Sequence, residues 1–203
     1  MIINKSCIYY IEDYTFKNFI LLSKQEVLMV LGWRNHPEIS KWMIDQNEIT
    51  VDQHLKFIES LKSRDDSLYW LVYNQDSPMG VVSSINVDYK RKKGFFGYYI
   101  SPELLNNGNG LEFNYYCRNF YFNILNFEVL YGNIVLGNTK PYLLSLFLGV
   151  KPKGIEKREE QKYLKMKGTK EDFNRVNFEN ITSQFVKFVK QTKVNWETLE
   201  KSL

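Results

Sequence analysis

Cysteine and histidine are scarce in this 203-residue chain: Cys7, Cys117, His36 and His54 are all there are. Two thiols so far apart make no disulfide framework and read as free cysteines of a reducing compartment. With no CxxC pair, a structural zinc site is not expected, nor any other metal. There is no internal repeat and no Pro- or Ser-rich stretch, so nothing marks a linker between domains. No apolar run approaches the roughly 18 residues of a membrane span. Residues 1–7 are too polar and too short for a signal peptide, so a cytoplasmic chain without a membrane partner is expected. Charge of one sign is also in short supply. The net charge is +4, and only residues 90–93 form a basic cluster. Despite 14 Tyr, 14 Phe and 4 Trp, so little positive charge argues against a nucleic-acid partner and for a small anionic ligand, such as a nucleotide or phosphate-bearing cofactor.

What is present is an ordinary globular composition, 44% hydrophobic and 25% charged. Residues 1–14 read as a short strand or extension and 15–22 as a strand. Ser23 and Glu26 have the spacing of a capping box. The helix behind them presents Val27, Leu28, Val30 and Leu31 and must stop near Pro37. A short helix carrying Ile39, Trp42 and Met43 follows. Thr50 and Gln53 then cap a helix with Val51, Leu55, Phe57, Ile58 and Leu61 at helical spacing. Strands are expected over 68–73, 79–87 and 94–100, the last two joined by the basic hairpin. A helix over about 111–125, a buried strand over 128–136, a helix over 139–148 and a strand over 162–166 come next. From about residue 179, Ile181, Phe185, Phe188 and Val189 outline an amphipathic helix. The order is α+β with a mixed, mostly antiparallel sheet flanked by helices. We place an extension at 1–14, the main domain at 15–168 and a helical extension at 169–203.

Two segments carry chemistry. Asn106, Asn107, Gly108, Asn109 and Gly110 lie between a strand and a helix start, where backbone N–H groups and the helix dipole favour a phosphate. Taken alone, Asn-Gly pairs are also plain turns. Asn138, Leu144, Ser145 and Gly149 lie one strand later, in what by composition is a helix ended by glycine.

Together the two segments resemble the Gcn5-related N-acetyltransferases (GNAT). In that superfamily a Gln/Arg-x-x-Gly-x-Gly/Ala loop binds the coenzyme A pyrophosphate, and an Asn-containing segment holds the pantetheine arm and supplies a tyrosine. Gly108 and Gly110 fall on the loop's glycines, while Leu105 stands where Gln or Arg is usual. Asn138, Leu144 and Gly149 match the second segment, but Pro141 replaces its alanine and Ser145 its tyrosine. The resemblance thus implies acetyl-CoA as co-substrate, held by Ile100, Leu105, Asn107, Gly108, Asn109, Gly110, Leu111 and Asn138. A narrower resemblance, over about residues 20–150, is to the N-acetyltransferases of pseudaminic acid biosynthesis, which acetylate an amino group of a UDP-linked amino-dideoxy sugar. It rests on residues 33–43, 54–58, 69–72, 80–83 and 94–99.

That resemblance implies Ser83 at the reacting centre and Tyr99 lining the same cleft. Arg34, Trp42, Met43, His54 and Asn86 would hold the sugar nucleotide. Arg34 offers a donor fork for a diphosphate or a uracil carbonyl, and His54 a further donor to the phosphates. Trp42 and Met43 offer the uracil an apolar face. The plainer roles are a helix cap for Arg34 and core for Trp42 and Met43. Cys117 reads as structural. The neutral amine would attack the thioester directly, with the oxyanion held by a backbone N–H near Tyr99 and Ile100. The proton for the departing thiolate would come from Ser145 through a water, with Tyr142 and Tyr99 as other sources. The expected partner is a nucleotide sugar, and a homodimer is compatible with the sequence. Two alternatives stand: a peptide or ribosomal-protein N-acetyltransferase of the same fold, and a non-catalytic acyl-CoA or nucleotide-sugar binding module.

Overall fold

In the computed structural model, which describes residues 3–203, Ser23 opens the first helix as its spacing predicts. Its hydroxyl accepts from the Glu26 amide at 3.3 Å, and the Glu26 carboxylate accepts from the Ser23 amide at 2.6 Å. This helix, α1 (Lys24–Asn35), ends ahead of Pro37, which starts the one-turn α2 (Pro37–Ser40). Thr50 and Gln53 form the second capping box, at the head of α3 (Val51–Ser60). Leu28, Val51 and Leu55 point out to solvent, so the apolar stripes of α1 and α3 are narrower than their periodicity suggests.

Glu26 is more than a cap. Lys17 Nζ and Tyr73 Oη also donate to its carboxylate, at 2.8 and 2.6 Å. Burial pushes the carboxyl upward, but the hydrogen bonds from Lys17, Ser23 and Tyr73 outweigh it and hold the pKa at about 2, against an ordinary 4.5. The folded value lies below the unfolded one, so this stabilisation is complete above about pH 4.5 and fades as the pH falls toward 2. Glu26→Gln should therefore lower the urea midpoint clearly at pH 7 and much less at pH 3. An equal loss at both pH values would show that the charge is not what matters.

The strands are β1 (Tyr9–Ile11), β2 (Tyr14–Asn18), β3 (Ser67–Asn74), β4 (Ser77–Asp88), β5 (Lys93–Ile100), β6 (Val129–Val135), β7 (Lys151–Arg158) and β8 (Gln161–Thr169). They form one sheet in the order β1-β2-β3-β4-β5-β6-β8-β7, antiparallel except between β5 and β6. Met1 and Ile2, part of the expected N-terminal segment, lie outside the described residues.

Several expectations shift. The strand over 15–22 stops at Asn18, whose side chain accepts from the Ile20 amide and turns the chain. The short helix ends at Ser40, leaving Trp42 44% exposed. In β6 only Leu130 is fully buried, so it is not the buried strand expected. The 111–125 helix divides into α4 (Gly110–Asn119) and a wider π turn over Phe120–Ile124. The whole of β7 went unforeseen.

Alternation along the strands sorts the core into two layers. Leu68, Trp70, Val72, Val82 and Phe96 face α4 and pack on Phe113, Tyr116, Cys117 and Phe120. On the opposite face Leu71 and Val81 meet Val27, Val30 and Trp33 of α1, Ile39 of α2 and Ile58 of α3. Further along the α4 face, Leu164 and Met166 of β8 lie under Tyr142 of α5 (Thr139–Phe147). The chain finishes with α6 (Lys170–Asn174), α7 (Ile181–Gln191) and α8 (Trp196–Ser202). Trp196 of α8 rests on Tyr142, their rings 5.0 Å apart.

Candidate active site

The sheet opens where β5 and β6 part. Their parallel pairing covers only Lys93–Phe95 against Val129–Tyr131. Just beyond it, a Cβ on Gly132 would stand 3.3 Å from the Phe96 carbonyl, so glycine lets the strands meet at the vertex. Ser101 N–H donates to the Met79 carbonyl at 2.8 Å. Odd positions of β5 therefore direct their backbone groups to β4, and even ones, Tyr98 and Ile100, direct theirs into the gap.

At the far end of β5 the glycine loop turns into α4. Asn106 and Gly108 take positive φ values of 66° and 83°. Asn109, at the N-cap, makes no side-chain hydrogen bond to the helix, so the first-turn N–H groups stay open. The Asn107 side chain turns inward to the Glu103 carbonyl at 3.1 Å. A Cβ on Gly110 would lie 3.4 Å from Ile100 Cδ1 and 3.6 Å from Leu144 Cδ1, so the loop, β5 and α5 converge there. Lys140 of α5 bonds the Asn106 side chain, bringing a cation to the loop. Asn138 caps α5 without using its side chain on the helix. Leu105 packs with the α1–α3 layer, and Leu111 is buried against Leu148 and Ile181.

On the α1–α3 face, Tyr69, Ser83 and Gly97 form one row across β3, β4 and β5. Ser83 Oγ donates to the Gly97 carbonyl at 3.4 Å. Tyr99, next along β5, is half-buried beside Arg34 and Tyr69. Burial pushes its phenol up against the pull of the Arg34 guanidinium, so it keeps its proton. Arg34 Nη2 donates to the Asp45 carbonyl, while Nη1 is buried without a partner. Arg34 is thus a brace for the 41–50 loop with one arm free, not the helix cap that was its plainer reading. Trp42 lies out in solvent with Lys41 Nζ 5.7 Å from its ring, and Met43 is half-buried against the helical layer.

The other expected residues do not join this group. His54 is a core histidine, 5% exposed, with its ring 6.5 Å from those of Phe19 and Phe57 and Nε2 unpartnered. Burial lowers its pKa, so it holds no charge at pH 7 to offer a phosphate. Asn86 sits exposed, with φ 53°, at the bulge near the opposite end of β4. Ser145 is 4% exposed on α5, and Tyr142 is turned to Trp196.

Sequence reasoning missed two groups. Tyr69 was visible in principle, because alternation puts it on the face of Leu71. Arg118 of α4 is buried with no carboxylate partner: Nε donates to Asn114 Oδ1 at 2.9 Å, and Asn114 Nδ2 donates to Tyr98 Oη at 2.9 Å. Its guanidinium lies 4.6 Å from the Phe96 ring, beneath the vertex. Burial brings its pKa down to about 10, so it remains a cation at neutral pH.

A family model described as the acetyltransferase (GNAT) domain matches residues 21–141, the span from the first capping box to the start of α5. The chain belongs to the GNAT acetyltransferase family. It is 32% identical over 124 residues to acetyltransferase PseH of Campylobacter jejuni, covering 61% of this chain and 76% of that protein. PseH of another strain of that organism is 34% identical over 88 residues, 43% of this chain and 54% of that one. Among solved structures, spermidine N-acetyltransferase of Vibrio cholerae in complex with CoA and spermine superposes with a TM-score of 0.72 at 17% identity, over 81% of this chain and 100% of that one. The Campylobacter jejuni N-acetyltransferase PseH gives 0.58 at 21% identity, over 77% and 98%. These two likenesses are of fold.

GNAT acetyltransferases use acetyl-CoA, and the gap here suits it: open first-turn N–H groups beside Lys140 for the phosphates, and unpaired N–H groups of Tyr98 and Ile100 along the fork. No helix among the described residues is long and apolar enough to cross a membrane.

Proposed function

We propose that this GNAT enzyme transfers the acetyl group of acetyl-CoA to an amino group of a nucleotide-linked amino sugar. The observation that carries it is Arg34, a guanidinium with one buried arm unsatisfied, set beside Tyr99 at the open fork. An unpaired buried donor costs about 1–3 kcal/mol, and a turn of the guanidinium toward the cleft would bring it to a phosphate or uracil oxygen, the acceptors its planar fork suits. The resemblance to the N-acetyltransferases of pseudaminic acid biosynthesis, and the match to PseH, support the same acceptor class.

The amine attacks the thioester carbonyl carbon from the face carrying Ser83 and Tyr99. As the C–N bond forms, the N–H groups of Tyr98 and Ile100 receive the negative charge on oxygen. One such donor is worth about 3 kcal/mol. Ser83 accepts a hydrogen bond from the amine and guides its proton to water. The C–S bond then breaks, and the thiolate takes a proton from Tyr99, or from a water held by Ser145.

The test is turnover with acetyl-CoA and a panel of UDP-amino sugars, free amino sugars, spermidine and an N-terminal peptide. We expect activity on the nucleotide-linked amines alone. Preference for spermidine or peptide would overturn the reading, and firm acetyl-CoA binding without any turnover would point to a binding module. In the same assay Arg34→Lys should raise KM for the nucleotide sugar about tenfold, since lysine lacks the planar fork, and leave KM for acetyl-CoA within twofold. A change in the acetyl-CoA term alone would show that Arg34 acts only as a brace.

A further inference from the structure

A nucleoside diphosphate carries a negative charge on each phosphate, and the α1–α3 side of the cleft supplies Arg34, since Lys41 is paired with Glu38 and His54 is buried and neutral. A second source of positive charge is required if the proposed acceptor is correct. It lies across the fork, on the half of the sheet the helices leave bare. In register, Tyr131 of β6 stands beside Phe95 and opposite Lys167 of β8, and Asn133 stands opposite Lys165. Alternation therefore puts Tyr131, Asn133, Lys165 and Lys167 on the same face as Ser83 and Tyr99. Their neighbours Ile134, Leu164 and Met166 turn the other way, into the cluster under α5. The buried cluster under α1–α3 contains no residue of β6, β7 or β8.

The lysines on this face are only partly compensated: Glu156 acts on Lys165 at a distance, but its carboxylate is held by Arg158. Asp172 is taken by Lys151 and Glu156 by Arg158, each at 2.8 Å, and Glu200 pairs with Lys162 on the α8 side. Neither Lys165 nor Lys167 forms an ion pair among the described residues, and β7 sets Lys151 directly opposite Lys167. Lys93, the other cation along this face, has Asp88 facing it in register. In the next row toward the vertex, between Ile85 and Lys167, lie Phe95 and Tyr131, with rings 5.9 Å apart and inclined at 31°.

We infer that this bare face is the second wall of the acceptor site, with Lys165 and Lys167 holding the diphosphate and the Phe95–Tyr131 pair supporting the sugar. The inference rests on the function proposed above. From Ser83 to Lys165 there are two paired strand steps of about 4.8 Å and, between them, the opened step across the fork, so the span exceeds about 14 Å. The flexible four-carbon stems of the two lysines let their ammonium groups reach back over the fork toward a phosphate. Lys187 serves as a control, since its helix α7 packs against α5 on the other face of the sheet.

The test is a Lys165→Gln/Lys167→Gln double variant of the full chain, with Lys187→Gln as control. UDP binding is read by calorimetry, and steady-state kinetics use acetyl-CoA with a UDP-amino sugar. We expect UDP to bind at least tenfold more weakly, KM for the nucleotide sugar to rise at least tenfold, and kcat and KM for acetyl-CoA to stay within twofold. The salt dependence of kcat/KM should also flatten, because fewer phosphate contacts remain to be screened. Wild-type turnover of the nucleotide sugar with an unchanged KM in the double variant would overturn the second wall and leave the proposed function standing. UDP binding that depends on the two lysines, without turnover of any UDP-amino sugar, would keep the anion seat and overturn the function. A wild type that neither binds UDP nor uses a UDP-amino sugar would overturn both.

Discussion

Gly110→Val should weaken acetyl-CoA binding by about 100-fold, close to 2.7 kcal/mol, in a protein that still folds. A Cβ alone would already stand 3.4 Å from Ile100 Cδ1 and 3.6 Å from Leu144 Cδ1. That Cβ would be in ordinary contact, but the two further methyls of valine would press on both side-chain ends and cover the open N–H groups of the first turn of α4, which the pyrophosphate needs. Helix propensity slightly favours valine over glycine, by well under 1 kcal/mol, so the helix itself is not weakened. Calorimetric titration measures the dissociation constant, and a thermal melt confirms the fold. An unchanged constant in a folded variant would mean that the phosphates lie elsewhere.

Tyr99→Phe should lower kcat by about 100-fold, the scale of a general acid, with both KM values within threefold. Ser145→Ala should lower it by less than tenfold, because a residue 4% exposed has little room for a reacting water. Burial holds the Tyr99 proton in place near pH 7, so the loss should be the same across the neutral range. The reverse order of the two variants would assign the proton to Ser145.

The fold was legible wherever local signals agreed with tertiary demand. Both capping boxes appear at Ser23 and Thr50 because each satisfies orphan donors within four residues. The β4–β5 hairpin was legible from alternation and its turn. β7 was not, since its sequence, Lys-Pro-Lys-Gly-Ile-Glu-Lys-Arg, has a proline and a glycine and only one aliphatic residue, on a sheet edge where charge is expected and no apolar run or alternation appears. Leu28 and Leu55 were misread because periodicity cannot tell a wide stripe from a narrow one.

Site residues divide the same way. The glycine loop announced itself by composition, whereas His54 could be placed only by its packing against Phe19 and Phe57. The free arm of Arg34 depends on where the Asp45 carbonyl falls, a tertiary fact. Nothing in the sequence singles out Arg118, whose burial depends on Tyr98 and Asn114 closing around it.

The short contact between β5 and β6 gives the sheet two extra rims in its interior. An unpaired strand rim recruits other strands, and most proteins blunt theirs with charge, proline or a covering element. Here the rims face each other across a slot that begins at a three-residue vertex. A foreign strand would need both flanks to move apart together, and Gly132 against the Phe96 carbonyl leaves no slack at the closed end. Only something as slender as a single flexible tether with its own amides can thread the slot and satisfy both rims. The closed vertex thus makes the inner rims a slot for a tether and not a template for a whole strand.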